Sequence, residues 1–181
     1  MADCPHSRRC WYAPGMKLVT YRHDAHEATW RAGVLQGDRI LDAARLLSRP
    51  AAISVLDVLT DHDGLVPRLA DASATFAIKH EASVFVPRET AVPAWEAALQ
   101  SPLPDPRSIR DFYSFEQHVG AGFKARGREI PRAWFDVPVF YFAHTGNLFG
   151  PDEAVPKPPE TSELDFELEL AAVIGRAGRD I

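Results

Sequence analysis

The sequence predicts an α+β fold, mainly β, and three observations lead there. Short apolar runs with strand character recur along the chain, helical spacing is confined to a few stretches, and fifteen prolines stand against eleven glycines. Proline removes a backbone donor and fixes φ, so that count favours loops and short strands over a helical bundle. The 181 residues fit one ordinary domain or two small ones, and an apolar fraction of 46% is enough for a packed core.

Residues 1–15 carry Pro5, Pro14 and Gly15 with little periodicity and read as a disordered leader, so order is expected from Met16. Lys17–Arg22, Arg31–Gln36 and Arg39–Asp42 read as strands, the last two joined by a Gly37-Asp38 turn. Ser54–Thr60 and Gly64–Phe76 carry apolar residues at helical spacing, interrupted at Asp61-His-Asp-Gly64. Glu96–Leu103 is read as a strand. Three prolines in Pro102-Leu-Pro-Asp-Pro106 forbid regular structure and mark a linker between a small β-rich N-terminal domain, 16–102, and a second domain, 107–181.

Ser114-Phe-Glu-Gln117 has the form of a capping box, which starts a helix near Phe115 with Ser114 as N-cap. That helix should end near Arg126-Gly127. Val137–His144 reads as a strand. After the proline-rich stretch Gly150–Glu163 comes the clearest alternation, Asp165–Ile174. It puts Phe166, Leu168, Leu170, Ala172 and Ile174 on one face and Asp165, Glu167 and Glu169 on the other.

A net charge of −5 and a pI near 5.8 provide no basic face for nucleic acid. No apolar stretch approaches the length of a membrane span. Cys4 and Cys10 could clip a metal with His6, yet one pair lacks the spacing of a structural zinc site, and a dispensable tail is the plainer reading. Ser7-Arg8-Arg9 resembles a twin-arginine signal, but no apolar segment follows it, so a cytoplasmic location is expected.

Two groups of residues could carry chemistry. Glu167 and Glu169, two apart on one strand face, repel each other unless solvent or a cation screens them, and they could supply hard oxygen ligands to Mg²⁺, Ca²⁺ or Mn²⁺. The plainer reading is an acidic face that meets water. In Arg110–His118, Asp111 would lie in the loop before the helix and His118 in its first turns, so a carboxylate and an imidazole could address one cavity. The plainer reading pairs Asp111 with Arg107 or Arg110 and leaves His118 as a surface histidine.

Taken together, Asp111-Phe-Tyr-Ser-Phe-Glu-Gln-His118, Val137-Pro-Val-Phe-Tyr141 and Leu164-Asp-Phe-Glu-Leu-Glu-Leu-Ala171 resemble, in order and interval, motifs of the fumarylacetoacetate hydrolase family. The resemblance covers about residues 107–175. It implies a family-type mixed β-sandwich roll beginning after the N-terminal domain, and a homodimer for the complete enzyme. It also implies a divalent cation, Mg²⁺ first, held by Asp111, Glu167 and Glu169, with His118 as general base and Tyr113, Tyr141 and Arg126 as substrate contacts. The implied activity is hydrolysis of a carbon–carbon bond in an acylpyruvate-type 1,3-diketo acid. Decarboxylase, isomerase or hydratase action on 2-oxo acids stays open on the same fold.

Two departures bear on that expectation. The family's remaining metal carboxylate would follow Ile181, so the chain is expected to be a truncated copy, with a catalytically incomplete fragment as the rival reading. Smaller family members pair the base with a glutamate where this chain has Ala121, which leaves Glu116 or a residue beyond the chain as the acidic partner of His118.

Overall fold

A computed structural model describes residues 15–24, 26–61, 64–80 and 86–180. The readings made for 1–14, including Cys4, His6, Cys10 and the twin-arginine resemblance, lie outside the described residues. The chain divides into two compact units, Met1–Leu103 with Phe149–Ile181, and Pro104–Leu148. The fold is α+β.

The first unit is built on an antiparallel five-stranded sheet in the order β4-β3-β2-β1-β5. Its strands are β1 (Lys17–Arg22), β2 (Arg31–Gln36), β3 (Arg39–Asp42), β4 (Ala91–Pro93) and β5 (Ala98–Gln100). The three strands read from the first part of the sequence form within those bounds. Gln36 pairs with Arg39 across the turn, and Gly37 at φ +58° supplies the left-handed first position of a II′-type hairpin.

Alternation along the strands separates two apolar faces. Ala32, Val34 and Leu41 on one face meet α1 (Ala43–Leu46), α2 (Val55–Thr60) and α3 (Leu65–His80) through Ala43, Leu47, Val55, Val58, Leu65 and Leu69, all buried. Both helical stretches read from the sequence form, and α1 is an addition whose N-cap is Asp42. Ser54 and Asp57 make a reciprocal capping box that starts α2.

The opposite face gathers Tyr21, Ile40 and Val92, each fully buried. Gly33 lies beneath them, where a Cβ would stand 2.4 Å from Ile40 Cγ2 and 2.9 Å from the Tyr21 ring, so only glycine lets the ring lie on the sheet. The Tyr21 hydroxyl donates to Asp42 Oδ2 at 3.0 Å. Arg31 Nη1 lies 3.6 Å from the same oxygen, and the Arg45 amide donates to Asp42 Oδ1 at 2.9 Å. Burial, with the Asp42 charge and hydrogen bond behind it, pushes the Tyr21 phenol far above its ordinary range.

The expected strand Asp165–Ile174 does not form. The segment carries no regular secondary structure, and Phe166, Leu168 and Leu170 are 85%, 95% and 102% exposed. A strand is completed only by a partner's N–H and C=O groups, and among the described residues no ladder includes this segment. No helix among the described residues is long and apolar enough to cross a membrane.

Candidate active site

The second unit holds a two-stranded antiparallel ribbon, β6 (Ile109–Phe112) with β7 (Phe140–Ala143), and two helices, α4 (Glu116–Ala125) and α5 (Arg132–Asp136). Asp111 therefore sits on a strand, not in the loop expected before the helix. β6 escaped the sequence reading because its four residues, Ile-Arg-Asp-Phe, alternate too briefly to stand out beside the linker.

Pairing in the ribbon sorts its side chains by face. Arg110 and Phe112 oppose Phe142 and Phe140, and the Arg110 guanidinium lies 4.8 Å and 5.6 Å from the Phe142 and Phe140 ring centroids. Asp111 opposes Tyr141 on the other face, away from Arg110. The simple pairing of Asp111 with Arg107 or Arg110 is thus not made. The Asp111 carboxylate is half-buried and has no hydrogen bond or ion pair among the described residues.

Beyond β6 the chain turns through Tyr113-Ser-Phe115 into α4. The expected cap is not made: Phe115 is the N-cap without a side-chain bond, and Ser114 Oγ donates to the Phe112 carbonyl at 3.2 Å. The Ser114 amide takes the same carbonyl at 2.8 Å, a local turn that competes with capping. The helix end falls where it was read, with Arg126 as C-cap and Gly127 left-handed at φ +65°.

The turn brings Tyr113 edge-to-face with His118, 5.9 Å between ring centroids and 89° between planes. Its hydroxyl lies 3.4 Å from where a Gly122 Cβ would stand, and Arg126 Nη2 lies 3.8 Å from the same point. His118, Gly122 and Arg126 succeed one another at helical i, i+4 spacing. The structure thus brings Tyr113 beside His118 and places Tyr113 and Arg126 on either side of Gly122. Gly122 was missed, although a glycine four residues after His118 on one helix leaves room for the Tyr113 hydroxyl. Trp134 was also missed: its indole N–H donates to the Tyr113 carbonyl at 2.7 Å. A shallow cleft of about 200 Å³ lies along Tyr113, Ser114, Trp134 and Val137–Val139.

Glu167 and Glu169 are exposed members of the first unit. Within neither unit do three His, Cys, Asp or Glu side chains gather as a ligand set, among the described residues. Taken one by one, Asp111, Glu167 and Glu169 each carry the carboxylate oxygens that a hard divalent cation takes, and Asp111 is half-buried.

The second unit sets a carboxylate, an imidazole and phenols along one ribbon and helix. Residues 107–181 match the fumarylacetoacetate hydrolase C-terminal family, so this part of the chain is similar to that family. The chain is 29% identical over 63 residues to a fumarylacetoacetate hydrolase domain-containing protein 2 homologue of Dictyostelium discoideum, an alignment covering 35% of this chain and 21% of that protein. It is 36% identical over 44 residues to a mitochondrial oxaloacetate tautomerase of Rattus norvegicus, and 39% over 44 residues to one of Homo sapiens, each covering 24% of this chain and 14% of the relative. The matched part thus spans between a seventh and about a fifth of those relatives' lengths.

Proposed function

We propose that the protein acts as a metal-dependent hydrolase that cleaves a carbon–carbon bond in a small acylpyruvate-type acid. The observation that carries this reading is the half-buried Asp111 carboxylate, unpaired among the described residues, opposite Tyr141 on the strand that leads directly to Tyr113 and His118. Asp111, Glu167 and Glu169 would hold a divalent cation, Mg²⁺ first. When bound, the cation supplies Lewis-acid polarisation of the substrate's oxo groups and neutralises the enolate charge that develops as the bond breaks.

The protein's own groups divide the remaining work. His118 takes a water proton at an imidazole nitrogen, a step that needs the neutral ring. Attack of that water on the distal carbonyl releases a carboxylic acid, and the proton returns to the enolate carbon to give pyruvate. Tyr113 and Tyr141 orient the substrate through their hydroxyls, and Arg126 binds its carboxylate with a planar pair of donors. The cytoplasm is the proposed compartment.

A second reading is favoured by the relatives named oxaloacetate tautomerases: the same residues would move a proton between carbon and oxygen of a 2-oxo acid, without water attack. Turnover of an acylpyruvate and keto–enol exchange of oxaloacetate, followed side by side by enol absorbance, separate the two. Under the hydrolase reading, His118→Ala lowers acylpyruvate cleavage by roughly 10²–10⁴-fold while divalent-cation binding persists. Oxaloacetate exchange without acylpyruvate cleavage would transfer the assignment to a tautomerase.

A further inference from the structure

The three residues between β6 and α4 carry Tyr113 to His118, and α4 begins without a side-chain cap. An uncapped helix start leaves its first amide groups without local partners, so the aim of the first turn depends on anchors outside the helix. Four bonds anchor this turn. The Tyr113 amide donates to the Val139 carbonyl at 3.3 Å, and Ser114 folds back on the Phe112 carbonyl through both its amide and its hydroxyl. The shortest is Trp134 Nε1 to the Tyr113 carbonyl at 2.7 Å, which joins residues 21 apart in sequence.

Trp134 is itself held in place. Its amide donates to the Pro131 carbonyl at 2.9 Å, and its ring packs edge-to-face on Phe135 at 4.9 Å. Arg132 Nε bridges both Asp136 carboxylate oxygens at 3.1 and 3.2 Å along the same helix. The indole is half-buried, so a Tyr113 carbonyl without it would lose its partner in a partly dry site.

We propose that Trp134 is a positioning residue, whose indole N–H holds the Tyr113 carbonyl and thereby keeps the Tyr113 ring edge-to-face with His118. The inference rests on the reading of His118 as the base. It adds a residue that acts through the Tyr113 carbonyl. Removing the donor while keeping an aromatic ring, Trp134→Phe, frees the Tyr113 carbonyl and lets the two rings drift apart.

The test is the proton NMR of the His118 ring in the full chain, for the unmodified protein, Trp134→Phe and Tyr113→Leu. Tyr113→Leu removes the ring current and sets the end point. In Trp134→Phe the His118 signals should move toward that end point while amide dispersion and helical circular dichroism are retained. His118 signals that stay at their original positions would overturn the proposal, because a purely structural tryptophan would lower stability without moving them. Should Trp134→Phe not fold, indole exchange in the unmodified chain decides the matter. The Trp134 indole N–H should exchange at least about tenfold more slowly than that of Trp95, which is 71% exposed, and equal rates would refute it. Undiminished turnover in His118→Ala would remove the base assignment while leaving the NMR result intact, so the two failures are distinct.

Discussion

Replacing Tyr21 with phenylalanine isolates the buried polar cluster of the first unit. The ring is fully buried and would stay so, which leaves the hydroxyl bond to Asp42 as the quantity removed. Asp42 is 2% exposed, so its carboxylate cannot recruit bulk water in exchange. Hydrogen bonds to a charged group contribute about 1.5–3 kcal/mol, and Arg31 and the Arg45 amide remain to hold the carboxylate. The variant should therefore be about 1.5–3 kcal/mol less stable at pH 7, read from urea midpoints at unchanged slope.

The same substitution has an alkaline signature. Burial first, and then the Asp42 charge, raise the folded Tyr21 pKa above the ordinary value of 10.0. A raised folded pKa means stability that is complete below the unfolded pKa and is lost as pH climbs above it. The wild-type advantage over Tyr21→Phe should thus shrink above about pH 10, by up to about 1.4 kcal/mol per unit. Other tyrosines and lysines titrate in both proteins and cancel in the difference. A variant within about 0.5 kcal/mol of wild type at pH 7, or a gap that stays constant into the alkaline range, would refute the reasoning.

Gly33→Ala should cost about 1–3 kcal/mol in chemical denaturation, because Tyr21 and Ile40 are fully buried and cannot yield to a Cβ placed 2.4 Å from Ile40 Cγ2; an unchanged midpoint would contradict that packing. Ser54→Ala should cost about 1 kcal/mol through the lost α2 cap, measured the same way. The Ser54 amide, and then its hydroxyl, hold the Asp57 carboxyl below its ordinary 3.8, so the cap's contribution is present above that pH and fades as pH falls through the folded value. An acid profile identical in wild type and variant would contradict the cap.

The first unit was legible where a local rule was sufficient. The Gly37-Asp38 hairpin and the Ser54 start of α2 each depend on neighbours in sequence, and each formed as read. Elements that depend on a distant partner were not legible in the same way. β6 is defined by pairing with β7 some thirty residues on, and its shortness hid it. The alternation of Asp165–Ile174 describes what a strand would bury, but a ladder requires a second strand, and among the described residues none adjoins it. Ser114 satisfied the capping-box spacing yet turned back on Phe112, since a short hydroxyl side chain has a closer carbonyl to bond. The site followed the same division. His118 and Tyr113 are five residues apart and were readable together, whereas Trp134 meets Tyr113 only through the fold.

The central proposal is that Asp111, Glu167 and Glu169 would bind one divalent cation, and Mn²⁺ binding followed by electron paramagnetic resonance tests it most directly. The unmodified chain should bind one Mn²⁺, displaceable by Mg²⁺, and Asp111→Asn, Glu167→Gln and Glu169→Gln should each weaken it. Loss of a group that merely supports a ligand costs about 10–100-fold in affinity, so loss of a ligand itself should cost at least about tenfold. No bound Mn²⁺, or binding unaltered by the three substitutions, would contradict the assignment of these carboxylates.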